Sequence, residues 1–451
     1  MKKITLFIVS CLLTVNIFAF PPNDMMLDNL PVSAQVTFRS LQDVLDYADK
    51  HEISIQTSLF NEQTAKEQMN QAKSQLYPQM TGSIGYNDNI SLQPTLVPAN
   101  IFNSSAPADE YKKYKFGRKY ISDANVSIEW SILDFQKRFG VKAAQCEMNT
   151  SKLYTASSKW NTYMNLASVY YSILINRKSI DFYKENVKTA DLLLNNALDK
   201  YKNGMISEDV LDRTKIQQIN ARRELQATES SLQKLMCQLQ GNLAVNDEIT
   251  IADSVDSHMD TEMSLHFESV HTDIKYKESV LYYDQMQLKQ TKALNYPSLS
   301  MTYQYQYNWA ADQFMNYGNA ITYNSQFLGV KLNIPLFTGF YNKHKIKEAE
   351  WDVKQAQYQL DATRIARNKD DEMLKIDYIQ SKHDYEDESQ ILRLRQDADS
   401  KINDTYQKGV ISLDQRLDKY QDLLNEQNNY IKDMGNYLIA QYQVYIRHIN
   451  F

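Results

Sequence analysis

Leu299-Ser300-Met301-Thr302-Tyr303-Gln304-Tyr305-Gln306-Tyr307-Asn308-Trp309 alternates apolar and polar residues without a fault. One face holds Leu, Met, Tyr and Trp, and the other holds Ser, Thr, Gln and Asn. A period of two with one wholly apolar face is a strand signal. The run also has the length, about nine to eleven residues, of a tilted strand crossing a bilayer. Leu328 to Leu336 repeats the pattern, as does Ala124 to Trp130; Met80 to Tyr86 does so more weakly, thinned by Gly82 and Gly85. Strands are therefore expected at about 79–87, 121–131, 299–309 and 327–336. Trp130, Tyr303, Tyr305, Tyr307 and Trp309 are expected at the lipid interface, where aromatic girdles form. The polar segments 87–120 and 310–326 read as irregular outward-facing loops.

Four such strands cannot close alone. A membrane barrel needs about eight, because an open edge in lipid leaves backbone groups without partners. If these strands span a membrane, several copies of the chain must share one barrel.

Working outward, the chain makes the same statement twice, roughly two hundred residues apart. Leu76-Tyr77-Pro78 precedes the first strand pair and Asn295-Tyr296-Pro297 the second. A long polar helix follows each pair. The first breaks at Tyr201-Lys202-Asn203-Gly204-Met205-Ile206-Ser207-Glu208-Asp209, the second at Tyr406-Gln407-Lys408-Gly409-Val410-Ile411-Ser412-Leu413-Asp414. Leu211, Thr214, Gln218, Ala221 and Leu225 step by three and four, as do Leu413, Leu417, Tyr420, Leu424 and Gln427. Heptads with polar seam positions describe helices packed side by side with much of each surface wet. Gly204 and Gly409 suit helix C-termini, and Ser207 and Ser412 stand where a hydroxyl can cap the returning helix. The organisation expected is a first repeat over 20–243, an acidic linker over 244–264 wrapping around the outside, and a second repeat over 265–451.

Residues 1–19 read as a secretory signal: Lys2 and Lys3, then an apolar stretch, then Ile17-Phe18-Ala19 as cleavage site. A competing lipoprotein reading of Ile8-Val9-Ser10-Cys11 would leave Cys11 acylated. Beyond the signal, no segment reaches the ~20 apolar residues of a spanning helix. Cys146 and Cys237 remain, and whether they pair stays open. The net charge of −6 argues against a nucleic-acid partner. There is no phosphate loop, nucleophile elbow or zinc-binding His-Glu-x-x-His helix, hence no catalytic, cofactor or metal site and no enzyme is expected. Asp370-Asp371-Glu372 and Glu386-Asp387-Glu388 read as solvated helix faces.

The signal, the strand pair ending in Ile334-Pro335-Leu336-Phe337-Thr338-Gly339, and the duplicated tips together resemble a TolC-type outer membrane efflux protein, over almost all of the mature chain. The resemblance implies a fold that is mainly α with a membrane β-barrel: a homotrimer with a shared twelve-stranded barrel and an α-helical tunnel in the periplasm. It implies a passive exit duct of a tripartite efflux or type I secretion system. The duct would lie in outer membrane lipid and reach an inner-membrane pump, of the resistance-nodulation-division or ABC type, through a periplasmic adaptor protein. Gly204, Met205, Ser207, Gly409, Val410 and Ser412 match the tip motif that meets the adaptor. Asp414 and Asp418 match the acidic residues that narrow the closed end. Three copies about an axis would make a ring of like charge able to attract cations or bind a divalent ion. Leu133-Asp134-Phe135-Gln136 stands where the family often has a glycine pair, so that bend is expected to be built differently. The alternative reading is a periplasmic or surface coiled-coil spacer or adhesion protein, which would have no use for four aromatic-faced strands of membrane length.

Overall fold

A computed structural model describes residues 36–107, 109–259, 262–449 and 451. The expected signal segment and Cys11 lie outside them. The chain runs β1 (Val36–Phe38), α1 (Leu41–His51), α2 (Ile53–Ser74), β2 (Gln79–Asp88), β3 (Pro94–Pro98), β4 (Tyr111–Lys115), β5 (Tyr120–Leu133), α3 (Phe135–Lys202) and α4 (Glu208–Leu243). It continues through β6 (Ile249–Ile251), α5 (Thr272–Lys292), β7 (Ser298–Ala311), β8 (Ile321–Asn333), α6 (Tyr341–Gln407) and α7 (Leu413–His448). The duplication is nearly exact in length: α3 and α6 have 68 and 67 residues, and α4 and α7 have 36 each. At ~1.5 Å per residue the long helices are rods of about 100 Å.

β2, β5, β7 and β8 form one antiparallel sheet in that order, leaving β2 and β8 as open edges. Register separates the two faces. Met80, Ile128, Tyr303 and Leu328 stand in one row across all four strands; the next row is Thr81, Ser127, Gln304 and Phe327. Successive residues of a strand point to opposite sides. One face therefore carries Ile84, Val126, Trp130, Tyr305 and Val330, and the other Asn125, Glu129, Thr302, Gln306 and Lys331. No helix among the described residues is long and apolar enough to cross a membrane.

Three segments differ from the sequence reading. β8 spans Ile321–Asn333 where 327–336 was expected; the ladder continues upward to Ile321, with Ile321, Tyr323 and Phe327 on the face opposite Leu328 and Val330, while Pro335 has no N–H for the ladder. The outer excursion 89–119 is not wholly irregular, since β3 and β4 pair as an antiparallel hairpin. The linker is more than a loose strap, because part of it is buried. β6 pairs in parallel with β1, and Ile249, Ile251 and Val255 are buried against α3 and its neighbours. The Tyr170 hydroxyl donates to Asp253 (2.6 Å) and Arg177 to the Ile251 carbonyl (2.5 Å).

The two strand-to-helix bends are built differently, as the sequence suggested. Before α3, Asp134 is extended (φ −146°) and its carboxylate accepts the Lys137 N–H at 3.0 Å, an N-cap. Before α6, Gly339 and Phe340 both take left-handed conformations (φ +60° and +66°). Buried Asn342 holds that corner by donating to the Leu294 carbonyl and to Asn295. The heptad seams face inward: Leu211, Thr214, Leu239, Leu413, Leu417, Tyr420, Gln427, Met434 and Leu438 are buried.

The acidic runs are not uniformly solvated. Asp371 accepts two bonds from the buried Arg447 guanidinium, at 2.8 and 2.9 Å. Glu388 is only 9% exposed. Burial first, then Glu426 and Asp433 on α7, push its carboxyl up from 4.5 to about 7. Within that window the folded chain holds a proton that the unfolded chain lacks. The stabilisation is therefore full below about pH 4.5 and is lost as the pH rises through 7. Glu388→Gln, which fixes the neutral form, is expected to raise Tm at pH 8 and leave it unchanged near pH 4.5. An equal Tm difference at both pH values would show that this carboxyl does not titrate in the window.

Candidate functional site

The two hairpin tips are one construction made twice. α3 ends with Gly204 at φ +70° and α6 with Gly409 at φ +73°. No atom lies within 4 Å of where a Cβ would sit at either, so glycine is required by backbone conformation rather than by space. Met205 N–H bonds the Lys200 carbonyl (2.9 Å) and Gly204 N–H that of Tyr201 (2.9 Å). Val410 to Thr405 (3.1 Å) and Gly409 to Tyr406 (3.0 Å) repeat the pair. These are the two bonds of a Schellman motif, which satisfies the last carbonyls of a helix. The residue at each apex is apolar and projects into solvent, Met205 at 71% and Val410 at 73% exposure.

The returning helices differ in their caps. Ser412 accepts the Gln415 N–H (3.2 Å) while the Gln415 side chain accepts the Ser412 N–H (3.1 Å), a capping box. Ser207 occupies the same position but its hydroxyl makes no cap bond. Val210 stands three residues on, where no side chain can reach back; Glu208 and Asp209 instead place negative charge in that first turn.

Asp414 and Asp418 lie one turn apart on one face of α7, and neither is a free acid. Arg213 on α4 donates to Asp414 through Nη1 and to Asp418 through Nη2, the latter at 2.7 Å. The guanidinium fork spans the two carboxylates and joins the first hairpin to the second, where α4 and α7 otherwise touch little. Arg213 is the residue that the sequence reading missed. It stands on a charged, half-exposed face that looks solvated, and its partners lie 201 and 205 positions away. Beside the clasp a polar groove of about 440 Å³ opens between the hairpins, lined by Tyr183, Gln217, Asn220, Gln421 and Asn428 among others. Below, Leu193, Ala197, Leu211, Leu392, Tyr406 and Leu413 form a core shared by both hairpins. Arg416, with its side chain 2% exposed, is held there by Asp399.

At the other end, the expected interface aromatics are all on the apolar sheet face, but at different heights. Trp130 is at the helix-proximal rim, its Nε1–H donating to the Leu76 carbonyl (3.0 Å). Tyr303, Tyr305, Tyr307 and Trp309 climb β7 over about 20 Å, taking ~3.3 Å per residue. They form a vertical stripe along the strand. Cys146 and Cys237 are both free thiols. Among the described residues no group of three or more His, Cys, Asp or Glu is placed to hold a metal.

Comparison with known proteins agrees with this architecture. The chain is similar to the solved structure of CusC, at 14% identity and a TM-score of 0.75, covering 94% of this chain and 96% of that one. It is similar to the CmeC outer membrane channel of Campylobacter jejuni at 15% identity (TM-score 0.69, 90% and 85% covered). It is also similar to the outer membrane protein VceC of Vibrio cholerae at 15% identity (TM-score 0.68, 91% and 95% covered). No curated protein matches it in sequence. A family model, that of the outer membrane efflux protein, matches residues 44–242 and 282–446, one span in each repeat. Matched through both repeats and folded as these channels are, the chain belongs to the outer membrane efflux protein family: non-enzymatic channels of the bacterial outer membrane whose helices stand in the periplasm.

Proposed function

We propose that this chain is the exit duct of a tripartite efflux or type I secretion system, working as a homotrimer in which three four-stranded sheets close one twelve-stranded barrel. The observation that carries the reading is the sheet itself, with one apolar face, one polar face and two open edges. In lipid such edges must be paired, and copies of the same sheet supply complementary edges. The apolar face meets lipid and the polar face, with Glu129, Gln306 and Lys331, lines the lumen. Surface apolar residues on α6 recur every seven positions, Trp351, Tyr358 and Ile365. They fit a seam against the next copy.

Transport through the duct is passive, and the energy comes from an inner-membrane pump of the resistance-nodulation-division or ABC type. A periplasmic adaptor connects them, docking at the tips Gly204, Met205, Ser207, Gly409, Val410 and Ser412. Met205 and Val410 offer it exposed apolar contacts. Asp414 and Asp418, clasped by Arg213, form the constriction, and the tunnel opens by an iris-like movement of the helices about Gly409. Purified protein is expected to migrate as a heat-resistant oligomer near three times the 52.5 kDa chain. In a planar bilayer it should give a small conductance that a divalent cation on the periplasmic side blocks. A monomer that fails to insert would overturn the duct; a wide conductance insensitive to divalent cations would overturn the acidic constriction.

A further inference from the structure

The outer hairpin carries a charge pattern that the duct does not use. Tyr111-Lys112-Lys113-Tyr114-Lys115-Phe116-Gly117-Arg118-Lys119-Tyr120 holds five cations and no carboxylate, in a chain whose net charge is −6. Strand alternation sorts β4 into two faces. Tyr114 packs with Phe102 (ring centroids 4.7 Å apart) and Phe116 (6.1 Å), which fixes the hairpin on that side. The opposite face carries Tyr111, Lys113 and Lys115, with Leu96 directly across the pair from Lys113. Leu96 and Tyr111 are about three-fifths exposed. Lys112 pairs with Glu110 at 3.5 Å and Arg118 with Asp312. Lys113 and Lys115 are exposed and have no ion-pair partner among the described residues.

The position of this face narrows its partner. β5 begins at Tyr120, so Arg118 and Lys119 stand at the barrel rim furthest from the periplasmic helices. Tyr86, Tyr120 and Phe314 contact one another there, centroids 5.7–6.2 Å apart, as an aromatic rim at the outer lipid boundary does. A surface that alternates exposed apolar residues with unpaired ammonium groups, one hairpin beyond that rim, is matched to an amphiphile whose charge is phosphate. Its ammonium groups are compact donors suited to phosphate oxygens, and its leucine and tyrosine suit the sugar and acyl edge.

We propose that the Tyr111–Lys113–Lys115 face binds the phosphorylated headgroup of an outer-leaflet glycolipid of the lipid A type. The proposal rests on the outer-membrane placement of the barrel and is independent of adaptor, pump and gate. The test is native mass spectrometry of the intact detergent-solubilised oligomer, titrated with bisphosphorylated lipid A. Lys113→Ala/Lys115→Ala should bind roughly 30-fold more weakly, the loss expected for two lysines at an anionic surface, while Lys113→Arg/Lys115→Arg keeps most of the affinity. Dephosphorylated lipid A should bind poorly, and millimolar inorganic phosphate should not displace the glycolipid. Equal affinity of wild type and the alanine variant overturns the proposal, as does equal affinity for the dephosphorylated lipid. Displacement by inorganic phosphate would make this a free-anion site and overturn the glycolipid assignment. Should the alanine variant fail to assemble, wild-type binding that is unmoved by rising salt is itself contrary to the proposal. Bilayer conductance of each variant reports the duct separately, so loss of the channel cannot be mistaken for loss of the lipid site.

Discussion

Arg213→Ser channels are expected to carry several times the single-channel conductance of the wild type, with a stronger preference for cations. Among the described residues Arg213 is the one cation paired with both Asp414 and Asp418, and it reaches them from the other hairpin. All three side chains are roughly half exposed, so each pair is worth only about 0–1 kcal/mol to folding and Tm should barely move. What the clasp sets is the position of the first turn of α7. Removing the cation leaves two uncompensated carboxylates in each chain, one turn apart. In a ring of copies those charges repel and widen the aperture. The effect should shrink in high salt, as the screening length falls toward ~3 Å at 1 M. Asp414→Ala should raise conductance less, because Arg213 keeps Asp418. Were Arg213→Ser to conduct like wild type, or less than Asp418→Ala, the clasp would not be what holds the entrance narrow.

The second large effect is on stability near the same tip. Asp399→Ala strands the Arg416 guanidinium, which is 2% exposed and bonded to that carboxylate through Nη1 (2.5 Å) and Nη2 (3.0 Å). The Tyr420 ring, 5.2 Å away, would remain beside it but carries no compensating negative charge. An uncompensated buried charge costs about 3–5 kcal/mol. The chain has separate cores at mid-length and near the tip, so the loss should appear as local opening of the α6–α7 hairpin rather than global melting. Faster amide exchange around Leu413 and Leu417, and protease cleavage near Gly409, would register it. Replacing both partners, Asp399→Leu with Arg416→Met, should restore most of the protection, because the desolvated charge is then gone. Unchanged exchange in Asp399→Ala would show that the pair carries no such load.

Much of this fold was legible because its signals are periodic. The alternation over Leu299–Trp309 fixed both the strand and its apolar face, and the three-four spacing from Leu413 fixed the α7 seam. Glycine followed by an apolar residue, isoleucine and serine identified both tips, whose positive φ no other residue adopts as cheaply. What the sequence hid depends on distance or on context. Ser207 and Ser412 look alike, yet only Ser412 has a glutamine three residues on to complete its box. Phe340 is left-handed without being glycine, a conformation set by its corner rather than by propensity. Glu388 sits in an acidic run that periodicity assigns to solvent, and only the approach of α7 buries it. Arg213 illustrates the general limit: the family resemblance named the candidate acids at one tip, but their partner belongs to the other repeat.

The unpaired edges of β2 and β8 also bear on how such a channel comes into being. A solitary chain arriving at the membrane cannot enter it without leaving two rows of peptide groups unsatisfied in hydrocarbon. Partners must meet before or during insertion, so biogenesis becomes a high-order reaction in chain number and dilution alone can stall it. During the wait each exposed edge is a template for indiscriminate strand addition. Rapid encounter between copies therefore favours the channel, whereas a chain left waiting is exposed to that side reaction.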